Sequence, residues 1–513
     1  MTISINPTSG EKIGEFKVNT PEELRQMVRK ARLAQPGWAA TPVKDRINHL
    51  LKVRDYIAAN VDNIADIISR ENGKTRVDAL ATEVLSSAMA IDFYCRHAAE
   101  YLKEKMLPMG NILLANKRSK LLRIPYGVIG VVSPWNYPFT IPFSDVIIAL
   151  LAGNAVILKA ASAAQATGKM LKDCIDSADL PDGVFGYINL PGPVAGDTFL
   201  EAGIDKLMFT GSVATGKTLM KKAADTLTPL LLELGGKDAM IVCEDADLDR
   251  AVGGATWAGF STAGQSCAGV ERIYVDKAVY DKFLLLLKNK IESLRIGPDK
   301  NFNVEMGSLT LKRQVDKVKK HLEDALRKGA TIFARQDPPA GSNEYFLPAM
   351  VLTEVNHDML VMREETFGPI VGVMKVENMD EAVRLANDSE LGLTGSVWSR
   401  NRRKAEAIAR RIEAGVITIN DHLMSHGMAE TPWGGFKLSG FGRTHSSLGF
   451  EEVTKTQTII HDLLPTKRNL WWFPSEKGLY EGLRGALIAL YGKKDRLKGV
   501  WSLLKIVPRL FKS

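Results

Sequence analysis

Cysteine is scarce in this chain. Only Cys95, Cys174, Cys243 and Cys267 occur in 513 residues, and no two of them form a CxxC pair. That excludes a disulfide framework and a cysteine-rich metal centre, and it implies a reducing compartment. The zinc-protease pattern HExxH is missing as well: His422 and His426 have the spacing, but Leu423 stands where the glutamate would be. No metal site is expected. No apolar run approaches the ~20 residues needed to cross a bilayer. The opening MTISINPTSGEKIGEF has no basic start followed by an apolar stretch, so no secretion signal is read and a cytoplasmic protein is expected. Most of the chain also lacks an excess of either charge. The net +8 resides in residues 465–513, with eleven Lys/Arg against three Asp/Glu, while residues 1–464 carry 56 of each sign. A nucleic-acid partner would call for basic surface on the body of the protein, and none is expected.

What is present is the balance of a globular protein, 45% hydrophobic and 25% charged, long enough for two or three domains. The first hundred residues read as helical. Thr20, Pro21 and two glutamates make an N-terminal helix signal, and residues 45–72 keep an apolar stripe at spacings of three and four. Short β-branched runs then alternate with helical stretches: GVIGVVSP, NAVILKA, KLMFTGS and DAMIVCED. This pattern predicts an α/β fold with a mostly parallel sheet covered on both faces. A second α/β series follows, with a boundary near Gly235–Gly236.

Five motifs carry possible chemistry. Gly211-Ser-Val-Ala-Thr-Gly216-Lys217-Thr218 lies between a strand and a helix. It satisfies the P-loop pattern and would also serve a dinucleotide phosphate, or simply a tight turn. Glu233-Leu-Gly-Gly places a carboxylate before a sharp bend, as a confined general base or an ordinary capping residue. Gly264-Gln-Ser-Cys267-Ala-Gly269 leaves a thiol sterically open between small residues; a lone cysteine is otherwise a small buried hydrophobe. Ser133-Pro-Trp135-Asn136-Tyr-Pro fixes an amide that suits an oxyanion, or else anchors a rigid loop. Glu364-Glu365-Thr-Phe367-Gly-Pro reads as an acidic–aromatic turn.

Their order along the chain resembles the aldehyde dehydrogenase superfamily, from about residue 5 to residue 462. The strand ending in Lys159 and PWGGFKLSGFGR at 432–443 extend the likeness, and Glu233 precedes Cys267 by the family's spacing of 34 residues. The resemblance implies a Rossmann-like dinucleotide-binding domain over residues 1–107 and 126–234 and a catalytic domain over 235–434. It implies a small β oligomerisation element from 108–125 and 453–464, and a homo-oligomer, dimer or tetramer. It makes Cys267 the nucleophile, Asn136 the oxyanion donor and Glu233 the base that activates water. The cofactor is NAD or NADP, with Trp135, Lys159, Ser162, Gly192, Gly196, Phe209, Gly211, Ser212, Gly216, Glu365 and Phe367 around it. Many NAD-preferring members carry an acid where this chain has Ser162, so acceptance of NADP is expected. Glu233 is similar to the base that CoA-acylating relatives lack, which makes water the acyl acceptor. By the same likeness Tyr137, Trp433, Met424, Ser425 and His426 border the path of a small-molecule aldehyde.

Residues 465–513 lie beyond the usual family end. Leu479, Tyr480, Leu483, Ala486, Leu487, Leu490 and Tyr491 share one helical face; Val500, Leu503, Leu504, Val507 and Leu510 form a second stripe. Trp471, Trp472 and Trp501 accompany them. A basic amphipathic tail of this kind suits peripheral attachment to a membrane surface, and with it hydrophobic aldehydes, or docking onto protein. Two further readings stand beside the dehydrogenase: a phosphohydrolase using Gly211–Thr218, and a non-catalytic scaffold.

Overall fold

Apolar β-branched runs with no polar face must be covered on both sides, and they become the centres of two sheets in the computed structural model, which describes residues 1–511. The first sheet is built from Val128–Val132 (β1), Ala155–Lys159 (β2), Phe185–Ile188 (β3), Lys206–Thr210 (β4) and Leu230–Glu233 (β5). All five are parallel. Register places Val132 beside both Lys159 and Phe209, and Thr210 beside Glu233. The loop after Val132, the Lys159 ammonium, the loop after Thr210 and the Glu233 carboxylate therefore emerge together at the carboxyl edge, where open parallel sheets bind ligands.

The chain leaves this sheet after Glu233 and begins the second at Asp238. The second sheet adds Asp238–Val242 (β6), Val270–Asp276 (β7), Thr331–Gln336 (β8), Ala349–Thr353 (β9), Ile370–Val376 (β10), Thr394–Trp398 (β11) and Val416–Ile419 (β12). Its spatial order is β8-β9-β10-β7-β6-β11-β12, with β8 alone antiparallel to its neighbour. The chain then returns: Gly440–Phe441 (β13) pairs antiparallel with β5, Gly440 opposite Glu233. The motif at 432–443 thus completes the edge of the first sheet at the strand that carries Glu233.

The described residues form two units, Met1–Lys103 with Arg123–Lys455, and Glu104–Leu122 with the segment from Thr456 onward. A three-stranded sheet of Lys105–Met106, Lys117–Pro125 and Thr454–Asp462 leads the second unit. The tail helices that follow belong to that unit as well.

Two local expectations are corrected. The N-terminus is not wholly helical: Thr2–Ile5 and Lys12–Phe16 form an antiparallel hairpin, closed by a turn that includes Pro7 and Gly10 at φ +76°. The stretch after residue 108 is not continuously extended. Asn111 caps a single 3-10 turn at Ile112–Leu114 by accepting from the Leu113 amide, and the strand starts at Lys117. The Thr20 signal yields a full capping box with Glu23.

Candidate active site

The thiol is presented by an unusual stretch of backbone. Thr262, Ala263 and Gly264 all have positive φ (52°, 54° and 72°), although two of them carry a Cβ. Such conformations persist only where the surroundings hold them. Here the buried Asp78 carboxylate accepts from Ser261 Oγ and from the Thr262 amide, each at 3.0 Å. Gln265 accepts from the Thr310 amide at 3.0 Å. At Gly264 a side chain would lie 2.3 Å from the Gly368 carbonyl, so glycine is required. The outcome is that Cys95, Cys174 and Cys243 are buried, while Cys267 is only partly so. Burial, then the Glu233, Asp238 and Glu365 carboxylates, hold its thiol well above the usual cysteine range.

Asn136 stands opposite, with its Nδ2 donating to the Gln265 carbonyl at 3.1 Å. Its own loop is held by a buried ion pair that was not read from the sequence. Lys74 and Glu83 lie 2.7 Å apart with both side chains fully buried. Lys74 donates to the Asn136 carbonyl (2.9 Å), and Glu83 accepts from the Phe139 amide (2.7 Å). Asn72 adds a bond to the Trp135 carbonyl at 2.9 Å. One N-terminal segment, residues 72–83, thus positions the amide loop through Lys74 and Glu83 and the cysteine loop through Asp78. Lys74, Asp78 and Glu83 stand among other polar residues, Asn72, Thr75, Arg76 and Thr82, so nothing in the sequence singled them out.

Glu233 is 4% exposed at the end of β5. Trp433 Nε1 donates to its Oε1 at 2.9 Å. Burial outweighs that bond, and with Asp145 and Glu365 nearby it pushes the carboxyl up to about 8. The Leu-Gly-Gly turn brings Gly236 so close that a Cβ there would sit 2.4 Å from the Cys267 carbonyl oxygen. Asn136, Glu233 and Cys267 line one cavity of about 370 Å³.

The same cavity is walled by Trp135, Gly211, Ser212, Glu365 and Phe367. Trp135 and Phe367 meet edge to face at 5.6 Å. Glu365 accepts from the Gly236 amide at 3.0 Å. Its loop is fixed by Glu271, which pairs with buried Lys237 and accepts from the Thr366 and Phe367 amides at 2.8 Å each. On the helix Lys312–Arg327, Gln314 donates to the Phe367 carbonyl at 2.8 Å, and Arg313 and Lys317 also line the cavity. None of Glu271, Arg313 and Lys317 falls in a motif.

Lys159 is 4% exposed at the end of β2, and burial lowers its ammonium to about 8. It has no carboxylate partner among the described residues. A side chain at Gly192, the first residue of helix α1 (Gly192–Glu201), would come within 3.9 Å of its Nζ. Ser212 caps helix α2 (Val213–Ala223), accepting from the Thr215 amide. A buried unpaired cation beside one helix N-terminus, with a second helix N-terminus at Ser212 on the wall of the cavity that Trp135, Phe367 and Glu365 line, fits a dinucleotide's ribose, pyrophosphate and ring. Ser162 is exposed just past Lys159, and Phe209 is buried in β4. Gly196 and Gly216 are placed by packing: added side chains would strike Leu219 at 2.3 Å and Leu234 at 2.8 Å. Helix α2 begins at Val213, so most of the P-loop match is helical. Thr218 Oγ1 bonds to the Ala214 carbonyl and Lys217 is exposed, which leaves no phosphate cradle.

Cys267 also lines a second cavity of about 210 Å³ with Leu85, Met89, Tyr137, Ile141, Trp257 and Met424. No Asp, Glu, Lys or Arg lines it. His426 does, and burial with the neighbouring His445 holds it well below the usual histidine range. Tyr137, Met424 and His426 are thus on the wall, whereas Trp433 turns to Glu233 and Ser425 is buried elsewhere. His422 bonds to Ser396 Oγ at 2.7 Å.

A family model described as the aldehyde dehydrogenase family matches residues 2–459. A 4,4'-diapolycopene aldehyde oxidase of Methylomonas sp is 36% identical over 497 residues, 96% of this chain and 92% of that protein. Among solved structures, a succinate-semialdehyde dehydrogenase from Burkholderia pseudomallei has a TM-score of 0.85 at 32% identity, covering 90% of this chain and 94% of that one. An E. coli NADP dependent enzyme gives 0.85 at 30% identity, covering 90% and 95%. The chain therefore belongs to the aldehyde dehydrogenase family and is an enzyme that oxidises aldehydes with NAD or NADP.

Proposed function

We propose that this enzyme oxidises hydrophobic aldehydes to carboxylic acids by covalent catalysis on Cys267, with water as the acyl acceptor. The observation that supports this reading is that Cys267 lines both cavities, a polar one shared with Asn136 and Glu233 and an apolar one without a charged residue. Glu233, with its carboxyl near neutrality, takes the thiol proton, and the thiolate bonds to the aldehyde carbon. The Asn136 amide and the Cys267 N–H hold the resulting oxyanion, a donor of this kind contributing about 3 kcal/mol. The bound dinucleotide, held by Lys159, Trp135, Ser212, Glu365 and Phe367, supplies the hydride acceptor. The acyl group stays on sulfur as a thioester. Glu233 passes the thiol proton on to solvent and then takes a proton from water, whose oxygen adds to the thioester carbon; the carbon–sulfur bond breaks, Cys267 leaves as the thiolate and the acid departs.

The walls of the 210 Å³ cavity include no Lys or Arg to pair with a second carboxylate. That favours apolar aldehydes over the semialdehyde named for one structural neighbour, and a relative named for a diapolycopene aldehyde is in keeping with it. Ser162 in place of an acid supports acceptance of NADP: kcat/KM with NADP is expected within a hundredfold of that with NAD, and a larger NAD preference overturns this. The three-stranded sheet is read as an oligomerisation element, and the basic tail as an attachment segment for a membrane surface.

Cys267→Ala is expected to abolish oxidation of a medium-chain aldehyde while leaving dinucleotide binding intact. Glu233→Gln should retain at most one turnover of reduced cofactor. Steady oxidation by Cys267→Ala, or product formed only when CoA is supplied, refutes the reading.

A further inference from the structure

The family model ends at residue 459, whereas the match to the Methylomonas oxidase, over 96% of the chain, reaches into the tail. The tail folds as a helical hairpin of α3 (Lys477–Tyr491) and α4 (Arg496–Ile506). The seam between the helices is made by glycine. A side chain on Gly482 would lie 2.5 Å from Ile506, on Gly485 2.5 Å from Ser502, and on Gly499 2.5 Å from the Gly485 carbonyl. Helices this close mesh through their small residues and leave the large ones outside. Tyr480, Leu487, Tyr491, Leu497 and Trp501 are 62–79% exposed. The loop before the hairpin adds Trp471, Trp472 and Phe473, the last 84% exposed. That loop is held out by its own scaffold: buried Arg509 pairs with Glu476 and donates to the Trp472 and Pro474 carbonyls.

Basic side chains share this surface. Arg484, Lys493, Lys494 and Lys505 are exposed and have no carboxylate partner among the described residues. The hairpin, residues 477–506, carries seven Lys/Arg against two Asp/Glu, so a second copy would bring another +5 against the first, a like-charge pairing that opposes self-association through this face. Unpaired lysines and arginines among exposed tryptophan, tyrosine and leucine complement an interface of anionic headgroups over acyl chains. No described helix is long and apolar enough to cross a membrane. We propose that the hairpin and the Trp471–Phe473 loop form a preformed docking face that lies in the headgroup region of an anionic bilayer. This rests on the reading of the tail as an attachment segment and assigns its lipid class and contact residues.

The test is co-sedimentation of the full chain with vesicles of phosphatidylglycerol and phosphatidylcholine in equal parts, against phosphatidylcholine alone, at 0.1 M salt. The expected result is at least tenfold stronger partitioning to the anionic vesicles, weakened at 0.5 M salt. Two surface variants, Trp471→Ser with Trp472→Ser, and Lys493→Glu with Lys494→Glu and Lys505→Glu, should each lower partitioning at least fivefold. Oxidation of a water-soluble aldehyde should be unchanged in both. A full chain that stays in the supernatant with both vesicle types overturns the attachment reading itself. Binding that is equal on both lipids, or indifferent to these substitutions, overturns the docking face alone. Sedimentation of a larger oligomer that the substitutions dissociate, without vesicle binding, assigns the face to a second copy and overturns it too. So does tight retention by single- or double-stranded DNA in place of vesicles.

Discussion

Glu83→Gln is expected to slow catalysis from a residue that touches neither substrate nor cofactor. In the native site one Glu83 oxygen faces the Lys74 ammonium at 2.7 Å and the other accepts the Phe139 amide at 2.7 Å. Glutamine has the same shape, but one of those faces becomes an NH2 pointing at a donor, and the buried ammonium loses its counter-charge. Breaking one side of a buried pair typically costs about 3–5 kcal/mol. With an unfolding entropy of about 2.1 cal/mol/K per residue, that is a fall of about 3–5 °C in Tm for a chain of this length. The catalytic effect has a separate origin. Lys74 holds the Asn136 carbonyl and Glu83 the Phe139 amide three residues on, so loosening them is expected to move the Asn136 amide off the position where the oxyanion forms. Losing such a donor outright costs roughly 10²–10³ in kcat, and misplacing it is expected to cost about 10–100-fold with little change in KM. Lys74→Met combined with Glu83→Met removes both charges and should recover part of the stability, since buried pairs exchange for apolar residues at little cost, the remainder being lost to the backbone groups left unpaired. It should not recover activity, because the Phe139 N–H and the Asn136 carbonyl remain without their partners. Thermal melts and steady-state kinetics on wild type, Glu83→Gln and the double variant decide the matter. A Glu83→Gln enzyme with kcat within threefold of wild type, or a double variant that regains activity along with its Tm, refutes the clamp.

Three further outcomes follow from the same geometry. Glu233 works only as the carboxylate and its pKa lies near 8. A hydrolysis-limited kcat should therefore climb about tenfold per pH unit below that value and level off above it; a profile flat from pH 6 to 8 would contradict this. Trp433→Phe deletes the N–H that favours the charged carboxylate, so the midpoint should move to higher pH, and a midpoint that moves down argues against the Trp433 bond. Met89 is 54% exposed on the wall of the apolar cavity. Met89→Arg should lower kcat/KM for a ten-carbon aldehyde at least tenfold, about 1.4 kcal/mol, and raise it for succinate semialdehyde; no change in that ratio would place the aldehyde elsewhere.

Elements whose signals are local were legible before any coordinates. The Thr20 cap, the buried strands and the Gly-Gly bend after Glu233 each depend on neighbours a few residues away. The α/β order and the grouping of Asn136, Glu233 and Cys267 could be approached from motifs for that reason. The clamp was not legible, because Lys74 and Asp78 meet partners 62 and 183 or more residues distant, and no spacing rule encodes such meetings. Gly196 and Gly216 show the converse: a glycine motif reads alike whether it admits a ligand or a neighbouring leucine. In the tail, the apolar stripes were visible, but which side of each helix the other would take was set by Gly482, Gly485 and Gly499, residues a hydrophobicity pattern treats as blanks.

Cys267 belongs to the walls of both cavities, the one that Glu233 and Glu365 line and the uncharged one that Met89 lines. On the proposed assignment of cofactor to the first and aldehyde to the second, neither ligand has to vacate its cavity for the other, and random-order initial-rate kinetics is the expected pattern.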